Sequence, residues 1–180
     1  CNIPACFEDV SVIRQVPDHQ EVFSHLDNDR SIIIELLSLE SDVSNDRSAP
    51  FHFEELARVN GADGPGMVQT LSHKPLSQSE LPNFPQPDVY KAILVGSQMI
   101  AKFNEAAKNE VRIYLAIIRI PSVQTDILIT LNQPVRIDPS SSSARTTRDS
   151  NNPTETSDKV FENLLRTLRI VDWNLFCNDD

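Results

Sequence analysis

The chain has 180 residues, of which 39% are hydrophobic and 23% charged, and its formal net charge is −10. This length suits one domain with a hydrophobic core, the composition is typical of a globular protein, and no apolar run is long enough to span a bilayer. The acidic balance argues against nucleic acid or an anionic membrane as the main partner and favours a basic protein surface, although many acidic proteins are simply well solvated.

Strands and a helix are predicted in the first third of the chain. The segments "EVFSHL" (21–26) and "SIIIELLSLE" (31–40) are predicted strands, separated by the turn-forming "DNDR". The three consecutive isoleucines of the second segment favour a buried strand. After the polar "SDVSNDRSAP", the segment "FHFEELARVNG" (51–61) has apolar residues at helical spacing, which predicts a short helix that ends at Gly61.

The middle of the chain alternates between extended and irregular segments. "MVQTLS" (67–72) is a predicted strand, and "SHKPLSQSELPNFPQPD" (72–88) is expected to be irregular because it contains four prolines. "YKAILVGSQMIAKF" (90–103) is the next predicted strand.

The clearest pattern predicts a hairpin in "EVRIYLAIIRIPSVQTDILITLNQP" (110–134). Apolar residues alternate along both halves, and a short proline-containing turn joins them. Both faces are partly apolar, so we expect this hairpin to lie inside a covered sheet. The apolar positions are Val111, Ile113, Leu115 and Ile117 on the first half and Ile127, Ile129 and Leu131 on the second.

The last third contains a polar segment and a helix. Residues 138–157 have almost no apolar side chain, which predicts a flexible Ser-rich loop. Ser157 is a predicted helix N-cap, and an apolar stripe follows at Val160, Phe161, Leu164, Leu165 and Leu168. Together the elements predict a single domain over residues 1–180, an α/β (α+β) sandwich with a mostly antiparallel sheet and helices on both faces.

The motifs of common enzymes and metal sites are missing from the sequence. It has only four glycines and no GxxxxGK[ST] or GxGxxG loop, no GxSxG elbow, and no paired histidines at helical zinc spacing. "DNDRSI" starts like a calcium loop but lacks the glycine at its sixth position. We therefore expect no catalytic residue, cofactor or metal, and we expect the histidines to be exposed or half-buried.

The three cysteines, Cys1, Cys6 and Cys177, form no CxxC pair. An odd count without a signature favours a reducing compartment, although a Cys6–Cys177 disulfide stays open. Because the first residue is cysteine rather than methionine, we expect the sequence to be part of a longer protein.

Long blocks of this sequence resemble the Ran guanine nucleotide release factor family. "DVSVIRQVPDHQEVF" (9–23) is similar to the signature of that family, and "SIIIELLSLE", "FHFEELARVNG", "IRIPSVQTDILITLNQP" and "IVDWNLF" follow in the same order. A glycine-containing strand that usually precedes the signature is absent here. The resemblance implies a largely antiparallel sheet of about six strands with helices on both faces, and no catalytic group.

The resemblance also implies which residues act. Acids of the signature are implicated in nucleotide release, and those positions are Asp9, Asp18 and Glu21 here. A second acidic cluster follows on the next strand, where Glu35 is retained and Ser38 stands where the family commonly has glutamate. From the residues alone, Asp9 is also a helix N-cap, Asp18 a turn former, Glu21 a solvated strand residue, and Glu35 a buried acid with a partner.

The function implied by the resemblance is binding of the GTPase Ran, through a basic surface near its nucleotide site, with release of GTP in support of nuclear import. The expected location is the nucleus and also the cytoplasm, and the expected state is a monomer, with other Ran-binding proteins as further partners. Two alternatives stay open. One is an accessory subunit of the extrinsic photosystem II type, and the other is a non-catalytic adaptor.

Overall fold

The structure, a computed structural model, describes residues 1–101, 105–145 and 156–176. Seven strands form one sheet in the order β1-β2-β3-β7-β6-β5-β4, and every neighbouring pair is antiparallel. The strands are β1 Phe7–Asp9, β2 Gln20–His25, β3 Ser31–Ser38, β4 Val68–Pro75, β5 Tyr90–Ala101, β6 Lys108–Ile120 and β7 Thr125–Arg136. The helices are α1 Asn45–Val59 and α2 Ser157–Thr167.

The two helices cover opposite faces of the sheet. Successive side chains of β6 point to opposite faces, as strand geometry requires. Ile113, Leu115 and Ile117 pack with Phe53 of α1. The alternating positions, among them Ala116 and Ile118, pack with Phe161 of α2. We call these the α1 face and the α2 face, and the predicted α+β sandwich with helices on both faces is confirmed.

The sheet has one strand more than the six that were expected. The additional strand is β1, which has only three residues and pairs with β2 at the edge of the sheet. Its apolar signal is a single buried residue, Phe7, which packs into the core on the α2 face. A strand this short has no periodicity to detect, so only its pairing identifies it.

The predicted hairpin is confirmed and is the centre of the sheet. Strands β6 and β7 pair along their length, and a 3-10 turn at Pro121–Val123 joins them. Gln124 closes the turn with φ of 49°, in the left-handed region. The neighbouring strands β3 and β5 pair with both edges of the hairpin, and the two helices cover its faces, so most of its central residues are buried.

Both helices begin at a different residue from the one predicted. Helix α1 starts at Asn45, within the polar segment, and Pro50 lies inside it. Ser48 and Ala49 are buried there, and burial against the sheet outweighs the weak helix propensity of this segment. At α2 the N-cap is Thr156, without a side-chain capping bond, and Ser157 is already helical.

The end of the hairpin and α1 together hold a buried group of ionisable side chains, which we call the buried ion cluster: Arg119 and Asp126 of the hairpin and His52 of α1. Arg119 Nε donates to Asp126 Oδ1 at 3.0 Å, and His52 Nε2 lies 3.4 Å from Asp126 Oδ2. Arg119 also donates to the backbone carbonyls of Glu40 and Val43. The cluster therefore ties the connection between β3 and α1 to the end of the hairpin.

Asp126 is fully buried, yet its environment favours the charged form. Burial by itself raises the pKa of Asp126. The hydrogen bonds from His52, from the Glu40 N–H and from Arg119 outweigh burial, so its pKa lies below its usual value. His25 and His52, expected to be exposed or half-buried, are both buried, which corrects that expectation.

The remaining predictions concern the irregular parts of the chain. Residues 76–89 are irregular as predicted, but β4 extends to Pro75 and takes up the start of that segment. In the polar loop, Ser142–Arg145 form a 3-10 turn and Ser141 is buried, while residues 146–155 lie outside the described residues. No helix in the described part of the chain is long and apolar enough to cross a membrane.

Candidate functional site: an acidic surface at the edge of the sheet

The first predicted site residue, Asp9, shapes the chain where β1 ends. Its carboxylate accepts a hydrogen bond from the Ser11 N–H at 2.8 Å and caps the 3-10 turn Val10–Val12. Hydrogen bonds from the Ser11 side chain and backbone hold the pKa of Asp9 below its usual value. The capping role that the sequence allowed is present, and the half-exposed carboxylate stays charged at neutral pH.

Asp18 lies in an exposed turn just before β2. The Gln20 N–H closes this turn onto the Pro17 carbonyl at 2.9 Å, and the Leu36 N–H of β3 donates to the His19 carbonyl at 2.9 Å. The turn is therefore attached to two strands, and the exposed Asp18 side chain starts from a fixed backbone. Such positioning lowers the entropy lost when a partner binds.

Glu21 is exposed on β2, and the pairing of the strands decides which face it occupies. Glu21 stands opposite Ile34, and Ile34 packs against the core on the α2 face. Asp9 stands opposite Phe23. Phe23 lies two residues beyond Glu21 on β2 and therefore on the same face of the sheet. Asp9 and Glu21 are thus diagonal neighbours across the β1–β2 pair, a relation that places Cα atoms about 7–8 Å apart.

Glu35 lies on the other face of the sheet. It stands opposite Gln20 on one side and opposite Leu128 on the other, and Leu128 belongs to the core on the α1 face. Gln20 Nε2 donates to Glu35 Oε1 at 2.6 Å, and Glu35 is half-buried. The structure therefore brings Asp9 and Glu21 together but turns Glu35 away from them.

Ser38, where the resemblance implies an acid, shares a face with Glu21 rather than with Glu35. It pairs with Thr125, which pairs with Ile120 of the core on the α2 face. Residues three apart on a strand point to opposite faces. The two positions of the second acidic cluster that the resemblance implies, Glu35 and Ser38, thus lie on opposite faces of β3. We use "acidic surface" for Asp9, Asp18 and Glu21 only.

The described residues contain no group of three or more His, Cys, Asp or Glu side chains that could hold a metal ion. A recess of about 520 Å³ opens on the α1 face, and the charged side chains that line it are Arg14 and Asp29. Cys1 is exposed and Cys6 half-buried, both as free thiols, whereas Cys177 lies outside the described residues.

Two apolar residues next to the acidic surface were missed by the sequence analysis. The side chains of Val12 and Ile13 are 79% and 75% exposed, at the end of the turn that Asp9 caps. The available signal was their position inside the signature block, between Asp9 and Asp18, where no strand or helix was predicted to bury them. We call this pair the apolar tip.

Comparison with known proteins finds that this chain is similar to the members of one family. Residues 1–134 match the family model of the Ran-interacting Mog1 protein. A probable Ran guanine nucleotide release factor from Dictyostelium discoideum is 37% identical over 99% of this chain and 91% of its own. The Ran guanine nucleotide release factor of Danio rerio is 39% identical over 96% of this chain and 92% of its own.

A more distant relative and a solved structure agree with these matches. The nuclear import protein mog1 of Schizosaccharomyces pombe is 27% identical over 97% of this chain and 94% of its own. The crystal structure of the Saccharomyces cerevisiae Ran-binding protein Mog1p is 26% identical and covers 74% of this chain and 70% of its own, with a TM-score of 0.56.

Proposed function

This chain belongs to the Ran-interacting Mog1 family, and we propose that it acts as a guanine nucleotide release factor for Ran in support of nuclear protein import. The observation that carries the proposal is the acidic surface, in which three carboxylates are presented at one edge of the sheet from a capped turn, a closed turn and a paired strand. Its relatives are named as release factors and nuclear import proteins.

A release factor needs no catalytic group of its own. It must bind nucleotide-free Ran more tightly than nucleotide-bound Ran, and linkage then requires it to weaken nucleotide affinity by the same factor. We propose that Asp18 and Glu21, assisted by Asp9, pair with lysines of Ran near the nucleotide site. In this proposal, pairing draws those lysines of Ran away from the nucleotide or disturbs the magnesium site of Ran, and the affinity of Ran for GTP falls.

The strength required of these pairs sets a condition on the interface. Exposed ion pairs contribute about 0.2–1 kcal/mol, whereas close charge pairs in an interface show couplings of about 1.5–7 kcal/mol. Nucleotide release therefore needs at least one of the three acids to lose its water when Ran binds. Glu21 is our choice, because it is an exposed acid that lies within a strand, where it pairs with Ile34 of β3.

Glu35 has a supporting role in this proposal. Its side chain holds Gln20, the residue immediately before Glu21, and the two lie on the α1 face. The bond fixes the start of β2, where the turn that carries Asp18 joins the strand. Glu35 therefore positions the acidic surface from behind, without contact with Ran.

The remaining aspects of the proposal follow the family. We propose a monomer that acts in the nucleus and also in the cytoplasm, binds the basic surface of Ran, and has other Ran-binding proteins as further partners. Family membership favours this function over that of an extrinsic photosystem II subunit. A non-catalytic adaptor is the remaining alternative, and it differs by binding without nucleotide release.

The test is the release of a fluorescent GTP analogue from purified Ran as the concentration of this protein is raised. We expect faster release with the unmodified protein and at least a tenfold smaller acceleration with the double variant Asp18→Ala and Glu21→Ala. Binding without release would favour the adaptor, and the absence of both would overturn the proposal.

The control for this test keeps the same change in net charge. Asp63 and Asp88 are exposed acids far along the chain from the signature, so the double variant Asp63→Ala and Asp88→Ala also removes two negative charges. This variant should release the analogue as fast as the unmodified protein. If both double variants lost activity equally, overall charge rather than the acidic surface would be the cause.

A further inference from the structure

The apolar tip is an unusual surface for an acidic protein. Val12 and Ile13 are consecutive and about three-quarters exposed, in the middle of a block whose other exposed side chains are mostly polar or charged. Single exposed apolar residues are ordinary, but a contiguous apolar pair with polar and charged neighbours has the make-up of an interface core and its rim.

The turn that presents the apolar tip is held firmly. Val10 is buried beneath it, and the Val10 carbonyl accepts hydrogen bonds from the N–H groups of Ile13 and Arg14, each at 3.0 Å. The Asp9 carboxylate closes the other end of the turn on the Ser11 N–H. Exposed apolar side chains on a fixed backbone lose little conformational entropy on binding, which is what an interface anchor requires.

The apolar tip follows Asp9 of the acidic surface directly in the chain and lies within reach of Asp18. Asp9 is the residue at which the turn starts, and only four residues separate Ile13 from Asp18, so their Cα atoms are at most about 18 Å apart. A standard interface covers about 800 Å² per partner, which is enough to include both. Arg14 is the single basic residue between Ile13 and Asp18. It lines the recess on the α1 face, together with Ser24 and Ile33.

We propose that the apolar tip is the anchor of the interface with Ran, where it enters an apolar depression bordered by lysine or arginine side chains. This inference rests on the proposed function and adds a contact of different chemistry to it. Energetic hot spots of interfaces are buried apolar or aromatic groups ringed by polar contacts, and the tip has Asp9 at the start of its own turn as one such polar neighbour. The acids then steer and orient, while the tip supplies apolar burial.

The experiment is calorimetric titration of nucleotide-free Ran with the unmodified protein and with the double variant Val12→Ser and Ile13→Ser, at two or more salt concentrations. We expect affinity to fall at least about tenfold, because hot-spot truncations exceed 1.4 kcal/mol. The salt dependence of binding should stay unchanged, since no charge is altered, and the heat-capacity change should become less negative.

The matched control removes apolar groups of equal exposure elsewhere. Val59 and Val171 are each 84% exposed, and neither belongs to the signature block. The double variant Val59→Ser and Val171→Ser should bind Ran as the unmodified protein does. Thermal unfolding of both double variants should match that of the unmodified protein, because exposed side chains contribute little to stability.

The outcomes separate this inference from the function on which it rests. If the unmodified protein binds and the tip variant binds equally well, the anchor is overturned while the release-factor function stands. Equal weakening by the tip variant and by the Val59 and Val171 variant would also overturn it, since the effect would not depend on position. If the unmodified protein does not bind Ran at all, the proposed function fails and the anchor with it.

Discussion

Two sets of carboxylates in this protein differ in their burial. Asp126 is buried in the ion cluster, where Arg119, His52 and a backbone N–H surround it. Asp18 and Glu21 stand in solvent at the edge of the sheet. The chemical group is the same in both places, so the difference lies in when its water is removed. Folding dehydrates Asp126, whereas only a partner can dehydrate Asp18 and Glu21.

This difference decides what each set can contribute. A buried carboxylate must have its hydrogen bonds completed within the chain, because an unpaired buried charge is strongly destabilising. An exposed carboxylate adds little to stability and keeps its interaction energy for a partner. Substitutions in the two regions should therefore have different effects. Those at the buried ion cluster should reduce stability, and those at the acidic surface should reduce recognition of the partner.

The largest expected effect is that of Asp126→Asn on folding. The substitution leaves Arg119 buried without its counter-charge, and the removal of one partner from a buried ion pair reduces stability by about 3–5 kcal/mol. The measurement is urea unfolding, with exposed Asp63→Asn as the control. A loss below about 1 kcal/mol would mean that the cluster does not hold the fold.

The contribution of Asp126 to stability should depend on pH. Because the pKa of Asp126 in the folded protein lies below its ordinary value of 3.8, the unfolded chain takes up the proton first as the pH falls. The stability contributed by Asp126 is therefore present at neutral pH and is lost below about pH 4. Unfolding titrations at several pH values should show the difference between the unmodified protein and Asp126→Asn shrinking below that pH. A constant difference would contradict this assignment.

Glu35 lies between the two regions in burial and should be intermediate in effect. Glu35→Ala removes the hydrogen bond to Gln20, and the net contribution of such a bond is about 0.5–1.5 kcal/mol. We expect a loss of stability of that size and an affinity for Ran within about threefold of the unmodified value. A large loss of Ran binding without a loss of stability would place Glu35 in the interface and contradict its supporting role.

The smallest expected effect on stability is that of Glu21→Gln. The side chain is exposed, so unfolding should change by less than about 0.5 kcal/mol. Ran binding should weaken and become less dependent on salt, because one charge pair is lost. Affinity measured across a range of salt concentrations distinguishes this result from a folding defect. An unchanged salt dependence would indicate that Glu21 makes no ion pair.

The sequence predicted the long strands well because their apolar residues alternate over many positions. Strands β6 and β7 have this pattern, whereas β3 was predicted from its three consecutive β-branched isoleucines. The start of α1 was not predictable in the same way, since Ser48 and Ala49 become helical by burial against the sheet. Strand β1 was missed because three residues have no detectable period.

The residues of the candidate site stay a prediction, and their arrangement could not be derived from the sequence. The acids of the signature were identified by resemblance, yet the separation of Glu21 from Glu35 depends on strand register, because Gln20 rather than Glu21 pairs with Glu35. Register is set by the whole sheet and by its turns. The buried ion cluster had a fainter signal in Arg119 and Asp126, charged residues that interrupt two apolar strands on either side of one turn.

We propose that the acidic surface distinguishes the nucleotide states of Ran, and the measurement that tests this is the calorimetric affinity for nucleotide-free and for GTP-bound Ran. We expect tighter binding of the nucleotide-free form by the unmodified protein, and a much smaller preference after Asp18→Ala and Glu21→Ala. Equal affinity of the unmodified protein for the two forms would overturn the proposal, because linkage then leaves no free energy to drive nucleotide release.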